Sequence, residues 1–286
     1  MHLFNFHTHT CFCDGSDEPL AYVEEAVRKR FTALGFSGHA PIPIENSFAI
    51  KDKYLGKFCD TIRALQTKFA DKIKIFLALE LDYIPGLSQE FSFFKKLCRL
   101  DYTIGSVHLI PNTTNDRIWF IDGPKTETYD QGLKELFDGD INRAVTAYYE
   151  QIIQMIFTQK PDIIGHIDKI KMHNQDRFFT EDEKWYQELV DKTLKIIQTK
   201  GNIMEVNTRG IYKKRSYSLF PGQKILEKAY MLGIPVTISS DAHKPSELDS
   251  CFDIALQTLK DIGYKRLSVY DSNGWKSIDI REFASC

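Results

Sequence analysis

The sequence predicts a mostly parallel α/β fold whose strand–helix units close, or nearly close, into a barrel. Three observations lead there. Short β-branched or aromatic runs alternate with longer amphipathic stretches along most of the chain. The runs are almost continuously apolar, as strands buried on both faces are. Seven such units can be counted between residues 3 and 261. An open doubly wound sheet is the structural alternative.

The elements follow in order. The predicted strands are 3–9 (LFNFHTH), 33–39 (ALGFSGH), 74–82 (KIFLALELD), 101–108 (DYTIGSVH), 162–168 (DIIGHID), 201–207 (GNIMEVN) and 234–241 (IPVTISSD). Helical spacing runs over 17–30, 52–70, 88–98, 138–159, 181–199, 221–232 and 246–261. The first helix has Asp17 as its N-cap and Pro19 inside its first turn. Gly201, Gly233 and Gly263 sit where helix C-caps belong. Residues 109–137 break the alternation. Rich in Asn, Thr, Asp, Gly and Pro, they read as a lid or specificity loop after a candidate ligand. The tail, 264–286, offers a turn at 271–274 and no functional signal.

Composition sets the remaining bounds. The 286 residues are 43% apolar, enough for one catalytic domain spanning 1–286. The 37 basic and 39 acidic residues nearly cancel, so no general attraction to nucleic acid or anionic membrane is expected. No run is long enough to span a bilayer, and no secretory signal is visible at the start, so a cytoplasmic protein is expected. Cys11, Cys13, Cys59, Cys98, Cys251 and Cys286 lack disulfide-framework spacing and read as free thiols. The sequence leaves the oligomeric state open.

Six of the eight histidines, His7, His9, His39, His108, His166 and His243, fall at or just after predicted strand ends, as do Glu80 and Asp241. In parallel α/β folds those ends share one face. So many polar groups are costly to bury unless metal ions compensate them. His7 and His9, at i and i+2 on a strand, point to the same side, and Asp241 and His243 repeat that arrangement. His2 and His173 fit no such place and read as surface histidines.

The motifs HTHTxFCDG (7–15), SGHA (37–40), ALELD (78–82), GSVH (105–108), GHID (165–168) and SSDAH (239–243) resemble, in order, those of the PHP (polymerase and histidinol phosphatase) superfamily. The segments CDG, WFID and EVNTRGIY resemble its histidinol-phosphatase branch. The resemblance implies a distorted (β/α)7 barrel, TIM-like, with three divalent metal ions. It assigns His7, His9, Glu80 and Asp241 to one ion. Glu80 bridges to a second, held with His108 and His166. Asp14, His39 and His243 hold the third. Mixed nitrogen and oxygen donors suit zinc, iron or manganese. Glu80, Asp14 and His243 are the catalytic candidates.

Such a cluster suits hydrolysis of a small-molecule phosphomonoester. Divalent ions neutralise the phosphate and lower the pKa of a bridging water toward 7. Arg209 is the first candidate for binding phosphate, with Arg215 and Lys169 behind it. Trp119, Phe120 and Asp122 are candidates for the organic part, with Asp122 opposite the ammonium. The resemblance points to histidinol phosphate. The alternatives are a phosphoesterase acting on another phosphomonoester or a nucleotide, an amidohydrolase-like hydrolase, and a metal-binding or sensing module.

Overall fold

The computed structural model describes residues 2–111 and 117–283. Seven parallel strands form one sheet in the order β1 (Phe4–Asn5), β2 (Ala33–Phe36), β3 (Lys74–Asp82), β4 (Tyr102–Ser106), β7 (Ile163–Ile164), β8 (Ile203–Asn207) and β9 (Val236–Ser239). Apart from Lys74 at the start of β3, every residue in these strands is buried, which accounts for their almost continuous apolar runs. Beyond β1 and β9 the chain completes the circle. The His9 N–H donates to the Ala242 carbonyl at 2.8 Å, and the Ala242 N–H donates to the His7 carbonyl at 3.2 Å. The first and last strands are thus joined at the rim, and the barrel reading holds over the open-sheet alternative.

The helices are α1 (Pro19–Arg28), α2 (Asp52–Lys68), α3 (Phe91–Cys98), α4 (Thr126–Phe137), α5 (Ile141–Gln159), α6 (Lys184–Lys200), α7 (Arg209–Tyr212), α8 (Gln223–Met231) and α9 (Phe252–Ile262). Pro19 opens α1 as expected, but the N-cap is Glu18, not Asp17. Gly201 and Gly263 take the left-handed conformation at the C-caps of α6 and α9, with φ of 72° and 114°. The helix expected over 246–261 begins only at Phe252, behind a short 3-10 turn at Pro245–Glu247. No helix among the described residues is long and apolar enough to cross a membrane.

One further expectation is corrected. The segment 109–137, read as a loop, holds strands β5 (Leu109–Pro111) and β6 (Ile118–Phe120), paired antiparallel, and helix α4; residues 112–116 of it lie outside the described residues. The tail forms a hairpin, β10 (Arg266–Asp271) and β11 (Gly274–Asp279), turning where the sequence placed a turn. Residues 284–286, Cys286 included, lie outside the described residues. The hairpin packs on the side of the barrel opposite the rim. The Trp275 ring lies 5.5 Å from both Phe6 and Tyr102 and 5.1 Å from Tyr270, and Phe283 meets Phe4 edge-on at 5.0 Å. Trp275→Ala should therefore cost about 3 kcal/mol, a Tm loss on the order of 6–10 °C. An unchanged melting curve would mean the hairpin is only loose cover.

Candidate metal centre

All nine proposed ligands arrive at one rim. His7 and His9 follow β1, His39 follows β2, Glu80 lies near the end of β3, and His108 and His166 follow β4 and β7. Asp241 and His243 follow β9, and Asp14 sits in the turn between His9 and α1. Asp241 holds a left-handed backbone conformation, φ 52°, which an aspartate tolerates better than most residues.

Glu80 is the centre. Its Oε2 lies 3.2 Å from His7 Nε2, 3.4 Å from His9 Nε2 and 3.1 Å from His39 Nδ1. Its Oε1 lies 3.0 Å from His166 Nε2 and 3.5 Å from His108 Nε2, and accepts from Ser106 Oγ at 2.6 Å. Asp241 Oδ1 stands 3.3 Å from His9 Nε2. Asp14 Oδ2 stands 3.0 Å from His243 Nε2. Donors sharing one tetrahedral ion at about 2.0–2.1 Å lie about 3.3 Å apart, close to these separations.

Three groups gather ligand atoms within 4.8 Å of one another: His9, Asp14, His39 and His243; His7, His9 and Asp241; and His39, Glu80 and His108. His39 therefore lies between the second and third sets of the resemblance, nearer Glu80 than Asp14, whose Oδ1 is 3.9 Å from its Nε2. The fit to cations rests on the nitrogens themselves. His7 Nε2, His9 Nε2 and His39 Nδ1 are buried, face carboxylates and make no hydrogen bond among the described residues. Buried polar atoms are rarely left so.

The outer partners aim these rings. His7 Nδ1 is 2.6 Å from Glu205 Oε1, and His108 Nδ1 is 2.8 Å from Asp82 Oδ1. His243 Nδ1 lies 2.6 Å from Arg209 Nη1, which can only donate, so Nδ1 accepts there; the same nitrogen is 3.0 Å from the Asp241 carbonyl, and Nε2 faces the cluster. Glu205 also accepts from the His166 N–H at 2.8 Å. Glu205 and Asp82 were not among the sequence candidates. Their spacing was a signal: each stands two residues from another polar residue on its strand, Glu205 with Asn207 and Asp82 with Glu80.

Electrostatics shows a site short of positive charge. Burial opposes a charged His7, yet Glu205, Glu80 and Asp241 outweigh it and raise its pKa well above the usual value. Burial likewise opposes charge on His108, but Asp82, Asp122 and Glu80 push it up to about 10. His9, buried and beside His243 and His39, falls to about 3. Burial works against ionisation of Glu80 and Asp241, but His7 leads the groups that hold both well below the carboxylate range. Protons on histidines here take the place that cations would fill.

Above the cluster lies a cavity of about 250 Å³, lined by ligands together with Phe48, Phe120, Asp122, Lys169, Arg209 and Arg215. Lys169 is 4% exposed; its Nζ lies 3.6 Å from Asp122 Oδ2 and 3.7 Å from Asp241 Oδ2. Arg209 Nη1 donates to the Asp241 carbonyl at 2.8 Å. The half-buried Arg215 lines the cavity without an ion pair among the described residues. Trp119 is corrected. It turns away from the cavity, donates from Nε1 to the Tyr129 carbonyl at 3.0 Å and packs on Tyr129 and Phe137. Its strand neighbour Phe120 faces the cavity instead, as alternation along a strand requires.

The profile of the PHP domain family matches residues 5–209. The chain belongs to the PHP domain family. The histidinol-phosphatase of Bacillus subtilis is 28% identical over 269 residues, covering 88% of this PHP chain and 97% of that relative. A solved structure of a candidate histidinol phosphatase from Listeria monocytogenes superposes with a TM-score of 0.75 at 22% identity, covering 88% of this chain and 99% of its own. The histidinol phosphate phosphatase of Lactococcus lactis, solved with zinc, L-histidinol and phosphate, gives a TM-score of 0.65 at 18% identity, covering 96% and 98%. These two likenesses establish that the PHP barrel fold is shared.

Proposed function

We propose that this chain is a metal-dependent phosphomonoesterase that hydrolyses L-histidinol phosphate to L-histidinol and phosphate, a step of histidine biosynthesis. The observation that carries the reading is the convergence of nine candidate ligands, eight of them in three compact groups and His166 against Glu80, beneath a cavity that also presents Lys169, Arg209 and Arg215. A storage or sensing module has no need of those cations. The name of the Bacillus subtilis relative, matched over nearly its whole length, supports the choice of substrate.

In this reading His7, His9, Glu80 and Asp241 hold one ion, Glu80, His108 and His166 a second, and Asp14, His39 and His243 a third. Zinc, iron and manganese all suit this set. Bound divalent ions neutralise the phosphoryl oxygens and make water more acidic. The residues do the rest. Lys169 Nζ, held by nothing closer than its two carboxylates among the described residues, and the Arg215 guanidinium take phosphoryl oxygens. Asp122 meets the substrate ammonium, and Phe48 and Phe120 flank the imidazole. In the reaction a water oxygen forms a bond to phosphorus and gives up a proton, the ester P–O bond breaks, and a proton passes to the leaving alkoxide, so that L-histidinol and phosphate result.

The test is a screen of phosphomonoesters, L-histidinol phosphate included, against protein reconstituted with zinc, iron or manganese. L-Histidinol phosphate should give the highest kcat/KM, and a chelator should remove activity that added metal restores. Preference for a nucleotide would move the chain to the alternative phosphoesterase reading. Metal binding without turnover of any ester would favour a storage module.

A further inference from the structure

We infer that His173 is a positioning residue that sets the shape of the substrate pocket, by latching the pocket wall at 120–124 to the segment that carries Lys169. The inference rests on the phosphatase reading above. His173 fits no metal motif, and its sequence context reads as surface, yet the residue is 9% exposed. Its Nε2 lies 2.7 Å from the Gly123 carbonyl, and its Nδ1 lies 3.1 Å from Thr126 Oγ1. A carbonyl only accepts, so Nε2 carries the proton, and Nδ1 pairs with the Thr126 hydroxyl. Both ring nitrogens are thereby used on one stretch of chain, from the turn after β6 to the first residue of α4.

A second clasp holds the same two segments. Arg177 Nη2 donates to the His173 carbonyl at 2.6 Å, and the guanidinium grips Asp130 of α4 with two bonds of 2.7 and 2.8 Å. What this clamp holds is the pocket wall. Asp122, next to Gly123, faces Lys169 Nζ at 3.6 Å and His108 Nε2 at 3.8 Å. Gly123 lies so close to Phe120 that a Cβ there would stand 3.2 Å from its ring. Phe120 in turn lies 5.4 Å from Phe48 across the mouth, with 31° between the rings. Fixing the Gly123 carbonyl therefore fixes Asp122 and Phe120 together. Those are the wall groups facing the non-phosphate part of an ester. His173 itself is not among the residues that line the cavity or gather as metal donors. Without it, recognition of the organic group should loosen while the phosphate end is left alone.

The experiment compares wild type, His173→Ala and His173→Gln as metal-loaded enzymes. Glutamine keeps a donor that can reach the Gly123 carbonyl. For His173→Ala, KM for L-histidinol phosphate should rise on the order of tenfold, as expected when two buried hydrogen bonds of modest net worth are removed. The kcat should change less than about twofold, because those two hydrogen bonds support ground and transition states equally. The Ki of inorganic phosphate, which reaches only the metals and cations, should be unchanged, as should metal content. His173→Gln should recover most of the KM. Amide hydrogen exchange over 122–130 should accelerate in the alanine variant and return in the glutamine one. Unchanged KM and exchange would overturn the latch. So would a joint shift of KM, kcat, phosphate Ki and metal content, which marks a general support role. If wild type does not turn over L-histidinol phosphate, the functional reading fails, and the exchange comparison decides the latch by itself.

Discussion

Glu80→Ala is expected to abolish turnover and strip metal from the centre. One carboxylate faces five imidazoles, with Oε2 3.1–3.4 Å from His39, His7 and His9 and Oε1 3.0 and 3.5 Å from His166 and His108. Alanine leaves those rings without the charge that gathers them, and the two ions proposed to share Glu80 lose their common ligand. Charge stabilisation by a bound metal is worth several kcal/mol, so a fall of about 10³-fold or more in kcat is expected. Glu80→Gln separates charge from volume. It keeps the size and a hydrogen-bonding oxygen for Ser106, but not the carboxylate, and should fall nearly as far. Elemental analysis of the purified variants should show fewer ions per chain, while circular dichroism keeps the barrel signature. A Glu80→Ala protein that retains wild-type metal content and a tenth of its kcat would remove Glu80 from the centre of the site.

Much of this site was legible because two geometric rules act together. Side chains two apart on extended chain share a face, which marks His7 with His9; the sequence pairs Asp241 with His243 by the same spacing, though the left-handed turn at Asp241 just past β9 is what aims them. Parallel strands bring their C-terminal ends together, which unites residues as far apart as His7 and His243. Where neither rule applies, the sequence is silent. Phe48 lies in a loop of Pro, Asn and Ser without periodicity, and only the closed barrel sets its ring 5.1 Å from His39. For Glu205 the spacing to Asn207 marks a polar face, but not its partner, since the pairing with His7 spans 198 residues. Trp119 and Phe120 are adjacent on a short strand, so the face each takes depends on a register that the unpatterned segment 109–137 does not reveal. His173 is buried by the wall that folds over it, a tertiary event with no local signature.

The cation that holds phosphate is where structure moves the sequence reading. Arg209 ranked first there because it follows a strand end. In the fold its Nη1 is committed to the Asp241 carbonyl, and its Nε lies 3.9 Å from Asp241 Oδ2. Burial opposes its charge, but Asp241 and then Tyr212 raise its pKa above the usual guanidinium value, so the charge is fixed beside a proposed metal ligand. Arg215 lines the same cavity and spends its guanidinium on no carboxylate among the described residues. Arg215→Ala should therefore raise both KM for L-histidinol phosphate and Ki for inorganic phosphate about ten- to a hundredfold, the loss of one or two charged hydrogen bonds at about 1.5–3 kcal/mol. Metal content should not change. Arg215→Lys should recover only part, because a point charge cannot make the forked contact. Arg209→Ala should differ in kind: freed from the arginine, Asp241 and His243 should hold metal less tightly, so ion loss to a chelator accelerates together with any change in KM. Lys169→Ala completes the comparison by leaving Asp122 and Asp241 without their shared cation. If Arg215→Ala leaves phosphate Ki at its wild-type value while Arg209→Ala raises it with full metal retained, the clamp belongs to Arg209 after all. If none of the three substitutions shifts that Ki, the metal centre alone holds the phosphate.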